Sequence, residues 1–206
     1  MNRRSRTLFV VQFAVLLAIE AIFCFTPLGS VPVGPIVATL GMIPVIITAL
    51  LLGTAAGTLM GTFAGLFSFL VWTFMPPMPP IAFAFTPFYS LGEFRGNFGS
   101  VLICFVPRIL VGTAAGLSYS AFSRSMPNKR VLNLSLSAVL GSLTNTVGVL
   151  GGIWLFFGSQ YSSVLGSAIL VIIGTTILTN SIPEAIVSAI AAPAVCRPLK
   201  GVLGKR

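Results

Sequence analysis

Five side chains stand deep inside apolar stretches, where they could do chemistry that their neighbours cannot: Glu20 (LAIEAIF), Arg108 (VPRILVG), Asn145 (SLTNTVGV) and the pair Asn180 and Glu184 (TNSIPEA). An ionisable group in such surroundings is costly and marks a function or a partner. Arg108 offers a planar fork of donors suited to an anion, and Asn145, Asn180 and Thr144 offer donors and acceptors that could orient a polar ligand. Asn180 and Glu184 are four residues apart and so share a helix face. Two readings of Arg108 stand together. It pairs with Glu184 or Glu20 and locks helices, or it meets the charged group of a bound small molecule.

Catalytic machinery is not visible. The chain has no His, its three carboxylates are far apart in sequence, and no G-x-x-x-x-G-K-[ST] phosphate loop occurs. Cys24, Cys104 and Cys196 lack metal-ligand spacing. General acid–base or nucleophilic catalysis needs a tuned proton acceptor beside the reacting atom. The expectation is therefore a binding protein with no cofactor and no metal, and any transport energy comes from an ion gradient or a partner. An intramembrane enzyme would need a nucleophile and base that the sequence does not offer.

The elements that must position these residues follow from charge. Of 206 residues, 12 are Lys or Arg and three are Glu, and hydrophobic residues make up 56%. Soluble domains have about a quarter of their residues charged, so 7% cannot cover a watery surface. A net charge of +9 does not indicate nucleic acid, because no solvated face remains to cluster the cations. Between Glu20 and Glu93 lie 72 uncharged residues, and between Arg130 and Glu184 lie 53. A membrane-crossing helix needs about 20 apolar residues, and the runs are solid rather than alternating, which argues against a β-barrel.

Punctuation by Pro, Gly and charge predicts one all-α membrane domain of six transmembrane helices, roughly 7–26, 36–52, 57–75, 97–121, 132–157 and 163–195. The last is long enough to imply tilt or a kink at Pro183. The Pro-rich stretches 26–35 and 76–96 read as stiff loops. With six spans, Arg3, Arg4, Arg6, Arg124, Lys129, Arg130, Arg197, Lys200, Lys205 and Arg206 fall on one side and Arg95 on the other, so the N and C termini are expected in the cytoplasm. Glu20 interrupts the first apolar run and no clear cleavage site follows, so the N-terminal stretch is expected to be a span and not a signal peptide.

Phe25-Thr26-Pro27 and Phe85-Thr86-Pro87 repeat one tripeptide on the same face, and Phe88 and Tyr89 follow the second. Phe85, Phe88 and Tyr89 suit either a lid over a small molecule or an interfacial belt, whereas Trp72, Phe74 and Trp154 read as belt residues. Ala14 and Ala18 form a small-xxx-small pair roughly opposite Glu20, a face on which another helix can approach closely. GTAAG occurs at 53–57 and 112–116, one copy at a turn and one inside a span; helix-interface packing explains both better than an internal repeat.

These segments together resemble the substrate-binding S components of energy-coupling factor (ECF) vitamin transporters. FTPLGSVPVGPIVAT, IPVIITALLLG, FTPFYSLGEFRGNF, VPRILVG and SLTNTVGV are similar to the pantothenate-type branch, over nearly the whole chain. The chain departs from that branch at Met42, where a His before the Ile-Pro is frequent. The resemblance implies a vitamin pocket formed by spans four to six and the loops after spans one and three. It also implies a transmembrane T component and two cytoplasmic ATPase subunits as partners, with Ala14 and Ala18 contacting the T component. The expected function is membrane binding of a small water-soluble vitamin, most naturally pantothenate, for uptake across the bacterial cytoplasmic membrane. Riboflavin, folate or a related vitamin is the alternative substrate. A secondary transporter coupled to protons through Glu20 or Glu184, or a non-transporting scaffold, is the alternative class.

Overall fold

A computed structural model describes residues 3–26, 31–33, 36–38 and 40–203. Of the expected features, Pro27, Pro35 and the terminal Lys205 and Arg206 lie outside them. Helix α1 (Arg3–Phe25) is followed by a short antiparallel hairpin, β1 (Val31–Val33) with β2 (Ile36–Ala38). Then come α2 (Met42–Leu52) and α3 (Thr54–Phe74), a 3-10 turn (Pro79–Ala84), and a second hairpin, β3 (Ser90–Leu91) with β4 (Phe94–Arg95). Helices α4 (Phe98–Ser125) and α5 (Arg130–Leu165) complete the middle of the bundle. The last rod is α6 (Ile169–Thr176), a π turn (Ile177–Ser181) and α7 (Ile182–Leu203).

Five of these rods are long and apolar enough to cross a membrane, the last spanning Ile169–Leu199. The second expected span is shorter than the sequence suggests. Residues 36–38 pair as a strand, and α2 has only 11 residues, a rise of about 17 Å against a hydrocarbon core about 30 Å thick. A short apolar run does not distinguish strand from helix. Of α2, Met42 and every residue from Pro44 to Leu50 are buried, because α1, α3, α4 and α7 surround it. Met42 belongs to that apolar core. On the outer sides of the long rods apolar residues are exposed, among them Val147, Leu155, Leu170 and Ile190, as expected where lipid replaces water.

The tightest packing is between α3 and α4, and glycine makes it possible. A Cβ added at Gly57 would meet the Gly112 carbonyl at 3.1 Å, one at Gly61 would strike the Arg108 carbonyl, and one at Gly65 would meet Phe105 at 3.0 Å. From the other side, a Cβ at Gly112 would strike the Gly57 backbone and one at Gly116 would meet Thr54 Oγ1 at 2.6 Å. The two GTAAG segments therefore meet each other in an antiparallel seam, each supplying the absent side chain the other needs. Thr58 and Thr113 hydroxyls bond across it at 2.8 Å.

Extra volume in such a seam costs about 1–3 kcal/mol. Gly112→Ala is expected to lower the unfolding midpoint in detergent accordingly. Gly174→Ala, at a helical position with open space around it, is expected to leave the midpoint unchanged or slightly raised.

Candidate substrate-binding cavity

One partly enclosed cavity gathers the polar residues of three rods. Arg108 comes from α4, Asn145 and Thr146 from α5, and Thr176, Asn180, Ser181 and Glu184 from the last rod, with Trp72 and Phe85 forming an aromatic wall. The last rod presents four polar groups because its helix changes register there. Pro183 has no N–H for the Thr179 carbonyl, and the π turn immediately before it brings Thr176, Asn180, Ser181 and Glu184 all to buried positions. Such turns are frequent at functional sites. The irregularity expected at Pro183 is therefore this π turn.

Arg108 is clamped. Its Nη1 donates to the Ile103 carbonyl at 2.7 Å, and its guanidinium carbon stands 5.9 Å from the centre of the Phe85 ring, within cation–π range. Its Nε is buried with no hydrogen-bond partner, as are Glu184 Oε1 and Asn145 Oδ1. Among the described residues Arg108 makes no ion pair, so the pairing with Glu184 or Glu20 that the sequence left open does not form. Arg108 and Glu184 face the same cavity unbonded. Glu20 lies elsewhere, fully buried, and its Oε1 accepts from the Cys24 thiol at 3.2 Å.

The segment over the cavity is fastened at both ends. Asn97 caps α4 by accepting from the Gly99 N–H at 2.7 Å, and Ser100 Oγ accepts from the Asn97 N–H at 3.0 Å, a reciprocal cap. Ser100 also donates to the Phe83 carbonyl at 2.7 Å, tying the 3-10 turn to α4. Thr86 bonds Thr73 of α3 at 2.8 Å. Phe85 is thereby held against Trp72, the rings stacked 4.3 Å apart.

Several expected site residues fall elsewhere. Thr144 donates to the Leu140 carbonyl on the outer side of α5, and its neighbour Thr146 lines the cavity instead. Phe88 is 77% exposed and meets Phe69 edge-on. Tyr89 packs against the apolar core under the loop and does not line the cavity. The inward positions are taken by Phe85 and Thr86, both buried where the chain leaves the 3-10 turn, and the exposed Phe88 lies beyond them. Phe25 meets Phe67 in place of a ligand pocket. Trp72, read as a belt residue, is buried in the aromatic wall, while Trp154 and Phe74 are exposed as expected. Thr176 is not among the residues expected from the sequence, although it stands one helical turn before Asn180; nothing in the sequence marks Trp72 or Ser181 as a cavity residue. Ala14 and Ala18 lie on the exposed side of α1, and Glu20 on the inward side.

A multi-pass helical bundle with a polar cavity inside its apolar rods has the form of a membrane protein that holds a small polar molecule. The chain belongs to the ECF transporter substrate-specific component family, whose profile matches residues 8–196. It is 36% identical over 162 residues to the pantothenic acid transporter PanT of Lactococcus lactis subsp. cremoris (strain MG1363), covering 78% of this chain and 76% of that protein. Its fold matches a solved structure of ThiT from Listeria monocytogenes with a TM-score of 0.54 and 18% identity, covering 94% of this chain and 97% of that one.

Ser100→Ala removes a bond from the α4 cap and leaves the Phe83 carbonyl buried without its donor. It should cost about 1–3 kcal/mol, read as a lower melting temperature in detergent, together with faster proteolysis within 76–96.

Proposed function

We propose that this chain captures pantothenate at the outer face of the bacterial cytoplasmic membrane and delivers it to an ECF module made of a T component and two ATPases. The observation that carries the reading is the clamped guanidinium of Arg108, with an unused buried Nε, beside amide and hydroxyl groups and a stacked aromatic wall. Pantothenate has the complementary parts: one carboxylate, one amide, two hydroxyls and a dimethyl carbon. Arg108 takes the carboxylate, and Asn145, Thr146 and Asn180 bond the amide and hydroxyls. Glu184 accepts from a hydroxyl at the far end, and Trp72 and Phe85 cover the methyl groups. The 36% identity to PanT supports the choice of vitamin.

Orientation follows from charge. Arg6, Arg124, Lys129, Arg130 and Arg197 are exposed at helix ends, and Lys129, Arg130 and Arg197 line one depression. The positive-inside bias puts that end, and both termini, in the cytoplasm, with α2 as part of a sixth crossing. The exposed Ala14 and Ala18 give the T component a close approach along α1.

A charge-assisted hydrogen bond contributes about 1.5–3 kcal/mol. Arg108→Ala should therefore raise the dissociation constant for pantothenate by about tenfold or more in calorimetric titration; unchanged binding by a folded variant removes Arg108 from the site. Titration of the native protein by riboflavin or folate, with pantothenate inert, would reassign the vitamin. Ala14→Trp with Ala18→Trp should abolish uptake by the assembled transporter while leaving pantothenate binding by the isolated chain within about twofold.

A further inference from the structure

Arg108 follows a proline that stands inside α4. A proline in a helix has no N–H to give the carbonyl four residues earlier, and its ring pushes that carbonyl aside. For Pro107 the carbonyl is that of Ile103, and Ile103 is where the Arg108 Nη1 donates, at 2.7 Å. A side chain on a helix leans towards the helix N-terminus, so the arginine immediately after the proline turns back over the turn whose hydrogen bond is missing. The ring itself is held from the α5 side. A Cβ added at Gly148 would lie 2.8 Å from Pro107 Cβ, so Gly148 lets α5 close over the proline three residues beyond Asn145.

We propose that Pro107 is a positioning residue for the ligand's carboxylate: by freeing the Ile103 carbonyl it anchors one end of the Arg108 guanidinium and leaves the remaining donors for the anion. The inference deepens the pantothenate reading and rests on it. With an ordinary residue at 107, the backbone N–H would return to Ile103 and close the helix. The guanidinium would then share that carbonyl with a backbone N–H, hold it less firmly and regain rotamer freedom, which binding must remove again. The consequence is specific to the carboxylate, because the bond to the Ile103 carbonyl is made by Arg108, the residue that takes the carboxylate.

The test compares pantothenate with its primary alcohol analogue, in which CH2OH replaces the carboxylate, by calorimetric titration of the full chain. Pro107→Ala and Pro107→Ser both restore the N–H. Each should weaken pantothenate about tenfold and the alcohol less than twofold, and neither should weaken pantothenate further when combined with Arg108→Gln. Retained binding of the alcohol reports that the cavity is intact. Equal weakening of both ligands, or no change in either, overturns the positioning role. If Arg108→Gln alone leaves pantothenate binding unchanged, the carboxylate reading of Arg108 falls. If Arg108→Gln weakens pantothenate and the Pro107 variants do not, only the positioning inference falls.

Discussion

The site depends on how closely α3 and α4 can approach each other. At Gly61, Gly112 and Gly116 the facing backbone occupies the space a side chain would need, and at Gly57 that space is taken by Ala49 of α2 with the Gly112 carbonyl beside it. Within lipid there is little hydrophobic gain from bringing helices together, so contact distance and van der Waals packing decide association. That seam runs directly beneath Arg108, whose own carbonyl is what Gly61 accommodates. The rotation of α4 that aims the guanidinium at the cavity is thus set from behind, by residues that never meet a ligand.

From that seam the rest of the cavity is assembled by deliberate breaks in helical regularity. Pro107 opens a carbonyl for Arg108, and the π turn before Pro183 turns four polar groups inward. A freed backbone group in the membrane must find another partner, so each break is placed where a side chain or a ligand can satisfy it. Among the buried polar atoms without a hydrogen-bond partner, Arg108 Nε, Asn145 Oδ1 and Glu184 Oε1 belong to residues lining one cavity, while others, such as Asn133 Oδ1 and Tyr161 Oη, lie outside it. Buried polar groups in proteins are almost always bonded, and the unpartnered atoms that share this cavity are what support the proposed binding role.

Legibility in the sequence varied with the kind of signal. Arg108, Asn145, Asn180 and Glu184 stood out because a polar side chain in a long apolar run has no ordinary reason to be there, and all four meet in the cavity. Thr144 and Thr146 look alike in sequence, and only the rotation of α5 against α4 separates them. Phe85 and Phe88 sit in a loop with no helical period to assign an inward face. Trp72 near the end of α3 has the placement of a belt residue, and it is buried only because the 3-10 turn folds over it. The start of α2 was obscured because apolar residues suit strand and helix equally.

What the sequence alone determined was the solvent, the helical class and the polar residues that had to be sheltered. Fifteen charges in 206 residues leave no alternative to lipid, and the cost of an unpaired charge there leaves Arg108 no neutral role. What only the tertiary structure decided was which partners those residues would have. Arg108 faced Glu184, Glu20 or a ligand equally well on paper. The choice depends on the spacing and rotation of helices far apart in the chain, and these arise from side-chain volumes meeting across the glycine seam, which no local pattern records.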